Sequence, residues 1–209
     1  ILGYKELEDS GIGNIEVVAV CDTQPSNVEL GAREVERLFG RKPMVFTDLD
    51  AVLAHPEIAA VDVVTDPSSH HAVAVPALQA GKHAIVEKPL GITMRACLAI
   101  MDAAEHSGVV LATAENLRRD PPNRLVRGII EEGLLGDPYY MVHNSLGGDD
   151  LFRITPWRHL KDRGAIGLDY GVHMADIVQF YLGEFEEVYG RGMIVEPVRR
   201  RPDREQNSL

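Results

Sequence analysis

Three places in the chain carry residues equipped for chemistry. The first is Glu87-Lys88-Pro89, which closes a short apolar run. A lysine at the end of a buried strand is partly withdrawn from water, a setting that suits proton transfer at a reacting oxygen. Pro89 fixes the chain there and admits a cis bond before it. An ordinary strand-end ion pair is the plainer reading of these three residues taken alone. The second place is Asp169, His173 and Asp176, spaced i, i+4 and i+7, which share one helical face. A carboxylate beside an imidazole holds the ring in one orientation, as a general base requires. A solvated acidic face and a metal site, since Asp and His are both ligands, are the other readings of that stripe. The third is Asp22. An acid at the end of the second strand of a dinucleotide fold accepts hydrogen bonds from ribose hydroxyls and repels a 2′-phosphate. A turn aspartate capping the next segment has the same position.

The elements that must position these groups follow from hydrophobic period. Apolar runs at 16–21, 44–46, 61–65, 84–87 and 109–113 alternate with helical patterns at 27–39, 49–54 and 70–80 and a helix reaching His106. Thr93 has the place of an N-cap, and Gly40, Gly81 and Gly108 stand where helices stop. Strands that are apolar throughout, separated by helices, predict a parallel sheet covered on both faces, the doubly wound α/β pattern. Such a sheet binds ligands beyond the carboxyl ends of its strands. Here those ends are Asp22, Thr65-Asp66, Glu87-Lys88 and Ala114-Glu115-Asn116. After Asn116 the pattern changes: a Pro-Pro connection, a helix over 124–132, a glycine turn, strands over 139–146 and 186–195, and a helix over 167–182. We therefore expect a Rossmann-like domain over 1–118 and an α+β domain with an open mixed sheet over 119–209. One element is missing. Gly11 and Gly13 precede a strand instead of following one, so they are a turn and not the Gly-x-Gly-x-x-Gly phosphate loop. Residues 1–10 are expected to be the remainder of the first helix, with the first strand and glycine loop lost by truncation.

Composition narrows the function class. The 209 residues are 45% hydrophobic and 25% charged, with a net charge of −11. That balance supports a sizeable core and disfavours nucleic acid and anionic membranes as partners. The basic run Arg199-Arg200-Arg201 with Arg204 is best taken as a solvated tail. Cys21 and Cys97 are too few for a disulfide framework, are expected to be buried thiols, and fit a reducing, cytoplasmic setting. No apolar stretch approaches a membrane span, and the start has no signal-peptide character.

Taken in order, these segments resemble the Gfo/Idh/MocA family of oxidoreductases. The resemblance runs through Asp48-Leu-Asp, Val61-Asp-Val-Val-Thr65, His70, Ala77-Leu-Gln-Ala-Gly81-Lys82-His83 and Glu87-Lys88-Pro89-Leu90. It continues through Arg119 and Pro122, Gly133-Leu-Leu-Gly136, and Gly164 followed by Asp169-x-Gly171-x-His173-x-x-Asp176. It implies hydride transfer between NAD, less readily NADP, and a sugar, polyol or inositol-like hydroxyl or carbonyl carbon. It implies that Lys88 binds the reacting oxygen, that His173 is the acid/base, and that Asp169 is its partner and a substrate contact. Asp22, Thr65, His70, Glu87, Lys88 and Asn116 match positions near the cofactor, and Trp157 and Arg158 the substrate pocket, with no metal. A full-length homo-oligomer is expected. Two departures stand out: Thr65-Asp66-Pro67 where the family commonly has Thr-Pro-Asn, and Gly164-Ala-Ile-Gly167 where it has a run of glycines. The alternative is a relative of the same fold that binds a ligand without turnover.

Overall fold

The computed structural model describes residues 1–13, 15–145 and 156–193. They form α1 (Leu2–Ser10), β1 (Ala19–Cys21), α2 (Pro25–Phe39), β2 (Met44–Phe46), α3 (Leu49–Ala54), β3 (Ala60–Val63), α4 (His70–Gln79), β4 (His83–Val86), α5 (Met94–Ser107), β5 (Leu111–Thr113), α6 (Pro121–Glu131) and α7 (Ala165–Leu182). Short 3₁₀ turns lie at Leu117–Arg119, Pro156–His159 and Lys161–Arg163. The chain divides into two compact units. One takes Ile1–Val63, His71–Ile85 and Leu98–Ala112; the other takes Val64–His70, Val86–Cys97 and Thr113–Leu209. The division is therefore not a single cut, because the segments that follow β3 and β4 belong with the C-terminal part.

Local signals explain the helices of the first unit. Pro25 occupies the first turn of α2, where its missing N–H costs nothing, and Gly40 ends the helix in the left-handed region at φ 65. Val28, Val35 and Phe39 lie along one face of α2 and are buried. Asp48 caps α3 by accepting from the Ala51 N–H at 3.2 Å. Thr93 Oγ1 accepts from the Ala96 N–H at 3.2 Å, as its place before α5 predicts. Val35, Val63, Leu78 and Ile100 are fully buried and form the centre of the core. A side chain of that size contributes about 1.5–3 kcal/mol when buried. Gly31 is required where α2 lies on β1: a Cβ there would stand 2.8 Å from Val20 Cγ1.

β1 and β2 pair in parallel, with Ala19 opposite Met44 and Cys21 opposite Phe46. β3, β4 and β5 form a second sheet in that order. His83 N–H donates to Ala59 O and Ala84 N–H to Val110 O at the strand starts, and Ala114 N–H donates to Val86 O at the ends. Starts bond to starts and ends to ends, so these strands are parallel too. The α/β class holds, but the expected single sheet is two pieces. In a doubly wound order of 3-2-1-4-5-6, the second and third strands reach the rest only through the first. No element ahead of α1 supplies that strand among the described residues.

Three further expectations are corrected. Residues 139–145 and 186–193 are not strands. Tyr139, Tyr140, Val188 and Tyr189 are of types that favour strands, yet all are exposed, and a strand exists only where a neighbour takes its N–H and C=O groups. Residues 146 and 194–195 of those expected strands, and the basic tail, lie outside the described residues. Cys21 is exposed and Cys97 half-buried, where buried thiols were expected, because Cys21 ends a strand with a neighbour on one side only.

In the second unit, α6 and α7 are tied together at one end. Arg127 Nη1 donates to the Phe180 carbonyl at 2.8 Å, and Tyr181 OH donates to Asn123 Oδ1 at 2.7 Å. Arg127 thus meets carbonyls that the last turn of α7 leaves without helical partners.

Candidate active site

Lys88 stands two residues past the end of β4, and Asp169 lies in the first turns of α7. Lys88 Nζ donates to Asp169 Oδ1 at 2.7 Å and to the Asp169 carbonyl at 3.0 Å. The second carboxylate oxygen, Oδ2, accepts from Arg158 Nε at 2.8 Å. Arg158 also stacks over the Trp157 ring, its guanidinium carbon 4.3 Å from the centroid. One carboxylate therefore holds two cations. Burial pushes the Asp169 carboxyl up, but the hydrogen bonds and charges of Lys88 and Arg158 outweigh it and hold the group below its ordinary value. Asp169 is 7% exposed, and these partners favour its ionised form.

A cleft of about 250 Å³ opens beside this cluster. Val64, Thr65, Pro67, Glu87, Lys88, Trp157, Arg158 and Asp169 line it, so residues after β3 and β4 meet those of the Pro156–His159 turn and α7. Glu87 does not pair with the Lys88 ammonium; its Oε1 accepts the Lys88 backbone N–H at 2.8 Å. The bond between Lys88 and Pro89 is cis. The loop after β3 is held in shape locally: Asp66 Oδ1 accepts from the Ser68 N–H at 2.9 Å, and Arg163 reaches both Asp66 and Ser68. Asp66, which departs from the family pattern, thus serves as a turn former and an anchor for Arg163. Burial raises its carboxyl, while Ser68 and Arg163 lower it further, and the net direction is down.

The stripe on α7 is not a solvated face. Asp169 takes Lys88 and Arg158, His173 takes Glu115, and Asp176 takes Arg118. His173 Nδ1 lies 2.7 Å and 2.8 Å from the two carboxylate oxygens of Glu115, which is itself buried. Arg118 Nε donates to Asp176 Oδ2 at 2.8 Å. Asp169 is therefore not the partner of His173, as the i, i+4 spacing had led us to expect. Two cations compete for its oxygens, and a second carboxylate comes to the imidazole from the end of β5. The three polar side chains point to different partners, three of them cationic, which is no arrangement for a metal ion.

The remaining predicted residues are distributed unevenly. Thr65 and Glu87 line the cleft with Lys88. Asn116 is exposed, next to Glu115 in the chain. His70 is fully buried, with Nδ1 2.9 Å from Pro89 O and Nε2 3.1 Å from Thr65 O. Both ring nitrogens are thereby engaged, and the ring braces the Thr65 loop against the Pro89 loop. Asp22 lies in the other unit, where Oδ1 accepts the Gln24 N–H at 2.7 Å and Oδ2 the Asn27 amide at 3.2 Å, so it does cap the segment after β1. Sequence reasoning missed Glu115 as a functional group, and the available signal was its place: it follows β5 as closely as Lys88 follows β4.

Comparison with known proteins matches this architecture. Residues 4–115 match the sequence model of the Gfo/Idh/MocA "Oxidoreductase family, NAD-binding Rossmann fold", and residues 123–206 match the "GFO/IDH/MocA C-terminal domain". A D-apiose dehydrogenase of Paraburkholderia graminis is 29% identical over 175 residues, 83% of this chain and 44% of that protein. A levoglucosan dehydrogenase of Pseudarthrobacter phenanthrenivorans is 34% identical over 168 residues, 78% of this chain and 42% of that protein. Among solved structures, a levoglucosan dehydrogenase in complex with NADH and levoglucosan superposes with a TM-score of 0.66 at 28% identity, covering 80% of this chain and 45% of that one. The chain spans about half the length of the curated relatives it matches.

Proposed function

This chain belongs to the Gfo/Idh/MocA oxidoreductase family, and from that premise we propose that the whole protein is an NAD-dependent dehydrogenase or reductase acting on a sugar, polyol or inositol-like hydroxyl or carbonyl. The observation that carries the reading is the Lys88–Asp169–Arg158 cluster on the wall of the cleft. An ammonium there, held by a carboxylate that stays ionised, can hydrogen-bond the reacting oxygen and stabilise negative charge as it develops. His173 is the acid/base that takes or returns the hydroxyl proton. Trp157 offers a ring against which a sugar C–H face packs, and Arg158 can donate to a neighbouring hydroxyl while it holds Asp169. The dehydrogenase names of the apiose and levoglucosan relatives support a carbohydrate substrate.

The residues present fit a nicotinamide cofactor at the carboxyl ends of the strands, where an open α/β sheet binds its ligand. Thr65, Glu87, Lys88 and Asn116 would stand near it, and Asp22 would accept from the adenosine ribose. The Asp22 carboxylate disfavours a 2′-phosphate, so the cofactor is NAD in preference to NADP. Bound NAD supplies the hydride acceptor, and its reduced form the donor. No described helix is long and apolar enough to cross a membrane. The reading includes a cytoplasmic protein that assembles as a homo-oligomer when complete.

The test is a panel of sugars, polyols, inositols and their keto forms offered to the whole protein with NAD or NADH. Turnover should appear as a change in NADH absorbance. Lys88→Met should abolish it while leaving NADH binding within about a few-fold, because the lysine acts on the reacting oxygen. A panel with no NADH signal in the unaltered protein would overturn the reading.

A further inference from the structure

We propose that Glu115 is the positioning residue that sets the working tautomer of His173. The proposal rests on the dehydrogenase reading for its chemistry but on geometry for its substance.

Glu115 follows the carboxyl end of β5 and His173 lies on α7, and both residues belong to the same unit. The Nδ1 distances to Oε1 and Oε2, 2.7 Å and 2.8 Å, are nearly equal, which is how an N–H lies between both oxygens of a carboxylate. Glu115 Oε1 also accepts the Leu117 N–H at 3.1 Å, so a backbone donor fixes that oxygen as an acceptor. The side chains of Glu115 and His173 are 9% and 13% exposed, so water competes poorly for this bond. Tyr170, one helical turn before His173, meets the imidazole edge-on at 6.3 Å between centroids and limits its rotation. Nδ1 therefore carries a hydrogen, and Nε2 is the nitrogen with a lone pair. Nε2 has no hydrogen-bond partner among the described residues, and no buried side-chain nitrogen or oxygen among them lacks one. Nε2 is thus not sealed inside the protein, and its lone pair is left to accept a proton.

The proton accounting is then fixed. During oxidation the hydroxyl proton passes to Nε2, the C–H hydride leaves to oxidised nicotinamide, and the C–O bond becomes C=O. The imidazolium formed keeps its Nδ1–H on the Glu115 carboxylate, whose charge it meets at hydrogen-bond distance. Without Glu115 a neutral imidazole in water favours the other tautomer, with hydrogen on Nε2, which cannot accept the proton.

The experiment reads the tautomer itself. Histidine-selective ¹⁵N labelling of this chain, with His173→Gln to assign the signal, should show His173 with Nδ1 protonated and Nε2 unprotonated when neutral. Glu115→Ala should shift it toward the Nε2–H form, and Glu115→Asp should restore part of the original pattern. In the whole protein Glu115→Ala should lower kcat about 100-fold while KM moves less than about threefold, as loss of an oriented base does. A neutral His173 carrying its hydrogen on Nε2, or a tautomer unmoved by Glu115→Ala, overturns the proposal. Because the tautomer is read without turnover, a protein inactive on every substrate would defeat the dehydrogenase reading and leave this result standing on its own.

Discussion

Asp169 holds two cations on one carboxylate, and its titration is where the site becomes testable in the absence of any substrate. Burial works against its ionised form, and Lys88 and Arg158 more than reverse that. The native carboxyl is therefore depressed relative to the unfolded chain, whose ordinary value is 3.8. The sign follows: the pairing stabilises the fold fully above that value and the contribution is lost as pH falls through the native one. Asp169→Asn removes the titrating group and leaves Lys88 and Arg158 facing a neutral amide. We expect it to cost about 2 kcal/mol at pH 7, within the range for charged hydrogen bonds and partly buried pairs. The cost should shrink as the pH approaches 3. Urea unfolding at a series of pH values measures both; a cost that is constant with pH would contradict the assignment. At this scale the candidate groups were legible in the sequence, since Lys88, Asp169 and His173 are polar residues at strand ends or along one helical stripe. Their partners were not. Spacing of four residues makes Asp169 and His173 neighbours on a helix, but Lys88 and Glu115 reach them from far along the chain and Arg158 from a separate turn, and no local pattern announces such pairings.

α7 is the element that converts a stripe of sequence into three separate engagements. Its spacing was enough to predict a helix with Asp169, His173 and Asp176 on one side, and the structure extends it by two residues at the start, to Ala165–Leu182. Those two residues are where the chain departs from the family's glycine run. Gly164 adopts φ 89 and Ala165 adopts φ 52, both in the left-handed region. A side chain in that region costs an alanine about 1–2 kcal/mol, while glycine adopts it freely. Substituting glycine relieves that strain but adds about 0.4–1 kcal/mol of unfolded-state entropy to be lost. Ala165→Gly should therefore leave stability unchanged or raise it by up to about 1 kcal/mol, and Ala165→Val, β-branched, should lower it by more than about 1 kcal/mol. Thermal or urea unfolding decides; a clear loss of stability in the glycine variant would remove the strain argument. The strands at 139–146 and 186–195 failed as expectations for a complementary reason. Tyr139, Tyr140 and Val142 have the propensity of a strand, but propensity alone supplies no partner for the backbone.

For the molecule as a whole, the order of apolar runs and helices was legible from period and punctuation, because each βα step carries its own glycine stop or cap. The break of the sheet into β1-β2 and β3-β4-β5 was legible only as a missing glycine loop, since a sequence lists its strands without saying which ones touch. That break bears directly on cofactor binding. A dinucleotide's pyrophosphate is normally held by backbone N–H groups of a glycine-rich turn at a helix N-terminus. The 209 residues contain no Gly-x-Gly-x-x-Gly between a strand and a helix, and their net charge is −11. What remains for NAD is the strand-end contacts of Thr65, Glu87, Lys88 and Asn116, with Asp22 in the other unit, against an overall field that repels phosphate. We expect this chain by itself to bind NADH with a Kd on the order of 1 mM or weaker, about −4 kcal/mol. Isothermal calorimetry with NADH on the 209-residue chain measures it. Because like-charge repulsion is screened by salt, the small binding signal should not weaken when ionic strength is raised toward physiological values. A Kd on the order of 10 μM or tighter would mean that the strand-end residues grip the cofactor without a phosphate loop, and the division of labour drawn here between loop and strand ends would have to be abandoned.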